Sequence, residues 1–210
     1  MNASGLIECW KDFSVIQPFL NPSNWNNTKS WTIETIGRAS FEGEHSPFGK
    51  ALCEKNKDTL IYRKEEWNID LVIARKERLS TTAIGVEPSA NWLLPAIYEV
   101  CLEHETNCLD SWQEMIKLIY MRAKLKVLIS YNIDSDGTPS QEERVVGVER
   151  RVVEQFDSMM DASNQAHADN SATEYALILG RLCNNQINWK AWTRKSGHGS
   201  FKVVREWHRP

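Results

Sequence analysis

The part of the chain that most constrains the fold runs from residue 97 to residue 131, because two different periodicities follow one another there. Residues 97–106 alternate between apolar and polar side chains, which is the period of a strand. Residues 111–123 then repeat apolar side chains at helical spacing. Residues 126–131 form a short apolar run typical of a buried strand. The sequence therefore predicts a strand, a helix and a second strand in direct succession.

Acidic residues stand at the end of the first of these strands and inside an earlier one. Glu103 and Glu105 share one face of the strand by alternation. Asp70 lies in the second of two extended segments, among apolar neighbours that predict burial. Because an unpaired buried carboxylate is costly, Asp70 needs a partner such as an arginine or a metal ion. Carboxylates gathered at the end of a sheet are the usual protein ligands of Mg²⁺, so these acids are the candidate site.

The remaining patterns complete an α/β chain. Helices are predicted within residues 1–45, from the Ser46-Pro47 pair onward, and over residues 140–162. A strand is predicted at residues 173–182, and residues 186–210 form a terminal hairpin. A chain of 210 residues is most simply one domain with a sizeable core. We expect a central sheet flanked by helices.

Composition excludes several classes of protein. The hydrophobic fraction of 41% and charged fraction of 25% are those of an ordinary globular protein. No apolar run approaches the ~20 residues needed to cross a bilayer, and the first ten residues do not have the pattern of a secretory signal. The five cysteines are odd in number and scattered, which disfavours both a disulfide framework and a zinc site. We therefore expect a cytoplasmic protein without membrane contact.

A net charge of −3 gives no general attraction to nucleic acid, so any such binding needs a local basic patch. The C-terminal hairpin is the candidate, because its cations are interleaved with tryptophan and phenylalanine. The residues expected to contact phosphate are Lys190, Arg194, Lys195, Lys202 and Arg205. The alternative is an ordinary edge strand kept soluble by its charges.

Over residues 44–131 the predicted elements follow the order helix, strand, strand with Asp70, strand with Glu103-x-Glu105, helix, strand. This order resembles that of the PD-(D/E)xK superfamily of restriction-endonuclease-like nucleases. The resemblance implies one restriction-endonuclease-like domain, residues 1–210, with a mixed central sheet. It places the family's metal-binding aspartate on Asp70 and its motif glutamate on Glu103. Glu105 then stands where the motif lysine is usual, and Glu44 is the candidate for an additional acid from the first helix.

What the resemblance implies for function is a Mg²⁺- or Mn²⁺-dependent endonuclease acting on DNA, including restriction-type cleavage. Asp70, Glu103, Glu105 and Glu44 would be its catalytic residues, and Asp70 and Glu103 its metal ligands. The alternative is a nuclease-fold protein that has lost activity and serves as a binding module. The choice between DNA and RNA stays open, as does formation of a homodimer.

Four residues of this region have simpler interpretations. Glu103 and Glu105 could be solvated acids at an exposed strand end. Ser111 with Glu114 three residues later has the pattern of a helix capping box, which would account for Glu114. Lys117, one turn further on, lies on the polar side of that helix; we interpret it as a solvated lysine, and the alternative is that it reaches phosphate.

Overall fold

The computed structural model describes residues 1–17, 20–37, 46–54, 59–66, 69–75, 98–135, 137–166 and 172–209. Seven strands in these ranges form one mixed sheet, and they lie side by side in the order of the chain. Their bounds are β1 Leu60–Glu66, β2 Ile69–Arg75, β3 Tyr98–Glu105, β4 Ala123–Ser135, β5 Glu174–Cys183, β6 Gln186–Lys195 and β7 His198–Arg209. Strands β3, β4 and β5 are parallel to one another, and the other neighbours are antiparallel.

Five α-helices cover the two faces of this sheet within the described ranges. They are α1 Ala3–Ile16, α2 Thr28–Thr35, α3 Pro47–Glu54, α4 Trp112–Tyr120 and α5 Pro139–Ala166. Helices α4 and α5 follow the parallel strands β3 and β4, as a parallel connection requires a crossover of this kind. The prediction of an α/β chain with a helix-flanked mixed sheet is confirmed, and the strand, helix, strand unit corresponds to β3, α4 and β4.

Each face of the sheet has its own apolar core. On one face, α1 and α3 pack through aromatic side chains, among them Trp10 and Phe48, onto alternate residues of β2 and β3. Those strand residues are Leu71, Ile73, Val100 and Leu102. On the other face, α4 and α5 cover the opposite side chains of the same strands. The alternation of a strand therefore decides which layer a side chain enters. Asp70 and Glu103 both fall on the face covered by α4.

The helix α3 lies unusually close to the hairpin of β1 and β2. A Cβ atom added to Gly49 would come within 2.9 Å of the Tyr62 ring and 3.0 Å of a Leu71 methyl group. Ser46 begins this helix, because its hydroxyl accepts a hydrogen bond from the backbone N–H of Gly49 at 3.0 Å. This close packing fixes the position of β2, the strand that carries Asp70.

The predicted capping box of α4 is wrong. The Ser111 hydroxyl makes no cap hydrogen bond and instead donates to the carbonyl oxygen of Cys108 at 2.6 Å. Ser111 has helical backbone angles, whereas a capping residue is extended. Glu114 is therefore available for other contacts. No helix in the described part of the chain combines the length and apolar character needed to span a membrane.

Candidate active site

The structure brings Asp70 and Glu103 together on neighbouring antiparallel strands. Leu71 lies opposite Leu102 and Val72 opposite Cys101, so continuing this register by one step puts Asp70 opposite Glu103. The Asp70 carboxylate also accepts a hydrogen bond from the backbone N–H of His104 at 2.7 Å. That bond holds Asp70 against the end of β3. The two acids separated by 32 intervening residues thus form one carboxylate pair, as the order of the elements predicts.

Glu103 is buried, with 1% of its surface exposed. Neither of its carboxylate oxygens accepts a hydrogen bond of good geometry from the described residues. Burial raises the pKa of Glu103 strongly, and the nearby negative charges of Asp70 and Glu114 raise it further. A buried carboxylate is costly unless it is protonated or a cation lies beside it. The alternative of a solvated acid at position 103 is therefore excluded.

The pKa of Asp70 is raised as well. Burial raises the pKa of the Asp70 carboxyl from 3.8 to about 6, although the hydrogen bond from His104 lowers it in part. Two neighbouring carboxyls with raised pKa values can share one proton, because two adjacent buried negative charges cannot both persist cheaply. The pair is thus suited to exchange a proton for a metal ion near neutral pH.

Lys117 and Glu114 belong to the same cluster, contrary to the sequence-based interpretation of both. The Lys117 ammonium lies 3.1 Å from Glu103 Oε1 and forms an ion pair with Glu114 as well. Burial alone would lower the pKa of Lys117, but contacts with Glu114 and Glu103 raise it overall, so this residue stays charged. The sequence contains one usable signal, since Glu114 and Lys117 are three residues apart on the helix that directly follows the Glu103 strand.

The other two predicted catalytic acids, Glu105 and Glu44, are not shown in contact with the Asp70–Glu103 pair. Glu105 lies on the same side of β3 as Glu103, at the strand's end, but its carboxylate accepts hydrogen bonds from the turn that follows. The donors are the backbone N–H of Asn107 at 2.8 Å and the hydroxyl of Thr106 at 3.3 Å. Glu44 falls outside the described residues. His104 points to the opposite face, where burial lowers its pKa to about 4 and its ring packs on Tyr131.

The cations of the C-terminal hairpin do not form one basic surface. Arg194 is 4% exposed and its guanidinium is bound by Asp157 and Asp161 of α5. The pairs with these two acids would have to break before the buried guanidinium could meet a nucleic acid backbone. Lys195 and Lys202 are exposed at the surface.

The other two hairpin cations are neutralised on opposite faces of the sheet. Lys190 lies 2.9 Å from Glu206 and also faces Glu149 of α5. Arg205 lies 3.1 Å from Glu8 of α1, on the other side. In addition, β4 and β5 separate β6 from β3, which at about 4.8 Å a strand puts the hairpin roughly 14 Å from Glu103. The positive surplus expected from the sequence is therefore largely cancelled by acids of α1 and α5.

The donor set is compatible with a hard divalent cation. Asp70 and Glu103 supply carboxylate oxygens, which Mg²⁺ and Mn²⁺ prefer, and Mg²⁺ commonly binds through one or two carboxylates while keeping several waters. Within the described ranges, no three His, Cys, Asp or Glu side chains are already grouped closely enough to hold an ion. Comparisons with family models, with curated proteins and with solved structures found no match.

Proposed function

We propose that this chain is a Mg²⁺- or Mn²⁺-dependent phosphodiesterase that cleaves DNA, with a restriction-endonuclease-like core of the PD-(D/E)xK kind. The order α3, β1, β2, β3, α4, β4 supports this proposal, because it repeats the order on which the resemblance rests. The antiparallel pairing of the Asp70 and Glu103 strands supports it further. The choice of DNA follows from the resemblance.

One observation carries the proposal. The partly exposed Asp70 and the buried Glu103 form a carboxylate pair with raised pKa values, and an ammonium group lies 3.1 Å from Glu103. The pKa of Glu103 is raised in spite of that ammonium, so the pair lowers folding stability at neutral pH unless a further cation is bound. Groups with strongly shifted pKa values in a cluster are typical of functional sites. A purely structural ion pair resembles Glu99 instead, which has two cations for one carboxylate.

The residues have distinct roles in this proposal. Asp70 and Glu103 hold the ion, and the Asp70 position is maintained by the His104 backbone. The ion supplies the electrophilic activation of water and the charge neutralisation at phosphate that the reaction needs. Lys117 brings from α4 the positive charge that the motif lysine would bring from β3. Glu105, at the motif-lysine position, is left to order the turn after β3 and to act as an additional acid.

The test is cleavage of plasmid and linear DNA with Mg²⁺ or Mn²⁺ by the wild-type protein, Asp70→Asn and Glu103→Gln. We expect cleavage by the wild type and a loss of at least about 100-fold in each variant, since each removes a ligand of the ion. Glu99→Gln is the matched control, because it alters a buried acid of the same strand at the opposite end. Equal activity of the wild type and both site variants would refute the proposal.

A second candidate is a nuclease-fold protein that binds a partner without cleaving it. The absence of a ready group of three ligands among the described residues favours it. This candidate predicts that neither Mg²⁺ nor Mn²⁺ binds to the folded protein. Isothermal titration calorimetry with each ion separates the two candidates, because the phosphodiesterase requires binding that depends on Asp70 and Glu103.

A further inference from the structure

Lys117 lies between two of the carboxylates of the candidate site. Its ammonium is 3.1 Å from Glu103 Oε1 and is also paired with Glu114. The side chain is 37% exposed, whereas the carboxylate of Glu103 beneath it is 1% exposed. The lysine therefore closes the buried acid off from solvent while presenting a single positive charge to it.

Glu114 faces the same cluster from α4. It lies in the first turn of that helix, one turn before Lys117, and is largely buried. Its Oε2 atom is shielded from solvent and accepts no hydrogen bond of good geometry from the described residues. Its charge also acts on Asp70 and Glu103, raising the pKa of both after the larger effect of burial. Two carboxylates thus pair with one ammonium group, whose charge also acts on Asp70.

We propose that the Lys117 ammonium occupies the cation position of this site, and that it gives way to a divalent metal ion, with Glu114 joining Asp70 and Glu103 as the third carboxylate ligand. This inference rests on the proposed function. The Lys117 ammonium contacts Glu103 and Glu114 at once, so it stands between two carboxylates where an ion shared by them would lie.

Charge explains the direction of the exchange. One ammonium offsets one of the negative charges that the three carboxylates have when ionised, whereas a divalent ion offsets two and prefers carboxylate oxygen. Lys117, once released, remains on α4 beside the ion and can turn toward solvent, since it is already partly exposed. There it is a positioning residue for the phosphate group of a substrate.

The experiment measures Mn²⁺ affinity by isothermal titration calorimetry on the full chain, stripped of metal, at pH 7.5. Lys117→Met removes the competing ammonium while keeping the length of the side chain, so we expect its affinity for Mn²⁺ to be about tenfold higher than that of the wild type. Glu114→Gln removes a ligand and should lower the affinity by about tenfold or more. Lys124→Met is the matched control, because Lys124 of β4 pairs at 2.7 Å with Glu99, which lies at the opposite end of β3 from Glu103. Its Mn²⁺ affinity should equal that of the wild type.

The outcomes separate this inference from the proposed function. Equal or weaker binding by Lys117→Met, with binding by the wild type, would overturn the inference and leave the phosphodiesterase proposal intact. Unchanged affinity in Glu114→Gln would remove Glu114 from the ligand set. If neither the wild type nor Lys117→Met binds Mn²⁺, both proposals fail. Binding by Lys117→Met alone would support the inference, because it would show that the ammonium blocks the site.

A measurement on the wild type covers the case in which Lys117→Met does not fold. Reductive methylation of Lys117, followed by mass spectrometry of the peptide, reports how far its ammonium is held in ion pairs. We expect saturating Mg²⁺ to increase the methylation rate of Lys117 several-fold and to leave that of Lys124 unchanged. An unchanged or slower rate at Lys117 in Mg²⁺-bound protein would overturn the exchange.

Discussion

Replacing Asp70 by asparagine should stabilise the metal-free protein at neutral pH, although Asp70 lies in the central sheet and accepts a backbone hydrogen bond. Asparagine retains an oxygen that can accept the hydrogen bond from the His104 backbone, 2.7 Å away in the wild type. Its amide group can donate to Glu103, whose oxygens accept no hydrogen bond of good geometry from the described residues. The change therefore removes a repulsive charge without losing the local geometry.

The magnitude follows from the pKa of Asp70. Burial raises this pKa from 3.8 to about 6, and each pKa unit corresponds to roughly 1.4 kcal/mol, so the carboxyl lowers the free energy of unfolding by about 3 kcal/mol above pH 6. Burying the new amide offsets about 1 kcal/mol of this. We expect Asp70→Asn to be about 2 kcal/mol more stable than the wild type at pH 7.5.

The pH dependence gives the sign a second check. A carboxyl whose folded pKa is raised keeps its proton longer in the folded state, so its contribution is neutral below the unfolded pKa, near 4, and becomes destabilising as pH rises toward 6. The advantage of Asp70→Asn should therefore be absent at pH 4 and complete by pH 7.5. Urea unfolding with EDTA at pH 4, 5.5 and 7.5 measures it.

Glu99→Gln is the control with the opposite expected sign. Burial alone would raise the pKa of Glu99, but hydrogen bonds from Lys124 and Arg75 more than offset this and lower it. Removing this charge takes a favourable buried partner from Lys124 and Arg75, so Glu99→Gln should lose about 1–3 kcal/mol at pH 7.5. An Asp70→Asn protein that is no more stable than the wild type at pH 7.5, or equally stabilised at every pH, would refute the reasoning.

The remaining predictions concern metal binding and the hairpin. Mn²⁺ affinity should rise as pH increases from 5.5 to 8, because the pKa values of Asp70 and Glu103 are raised and the ion must therefore displace a proton. Calorimetry in buffers of different ionisation enthalpy should detect the released proton. An affinity that does not change with pH would contradict this prediction. Arg194→Ala should lose about 3–5 kcal/mol in urea unfolding, since it leaves Asp157 and Asp161 without their partner; a loss below 1 kcal/mol would show that the pair is solvated. The double variant Lys195→Ala, Lys202→Ala should keep the free energy of unfolding within about 0.5 kcal/mol of the wild type. If these exposed residues contact phosphate, the variant should bind DNA more weakly and with a smaller salt dependence. An unchanged salt slope in a filter-binding titration would show that the two lysines serve solubility only.

The sequence by itself determined the elements and the apposition of Asp70 with Glu103. Strand and helix periodicities are local properties, so residues 97–131 were sufficient to predict β3, α4 and β4. Two successive antiparallel strands lie side by side by default, and burial of the flanking apolar residues then fixes which face each acid occupies.

The tertiary structure decided which charges are neutralised and which remain available. Asp157 and Asp161 of α5 bind Arg194 from 37 and 33 residues away, and Glu8 reaches Arg205 from 197 residues away. The basic appearance of the hairpin in the sequence disappears in the fold for this reason. The sequence predicted a solvated residue for Lys117 and a helix cap for Glu114, yet α4 places the Lys117 ammonium against both the Glu103 and the Glu114 carboxylates. Pairing between charges depends on how helices pack across the sheet, and local periodicity contains no information on that packing.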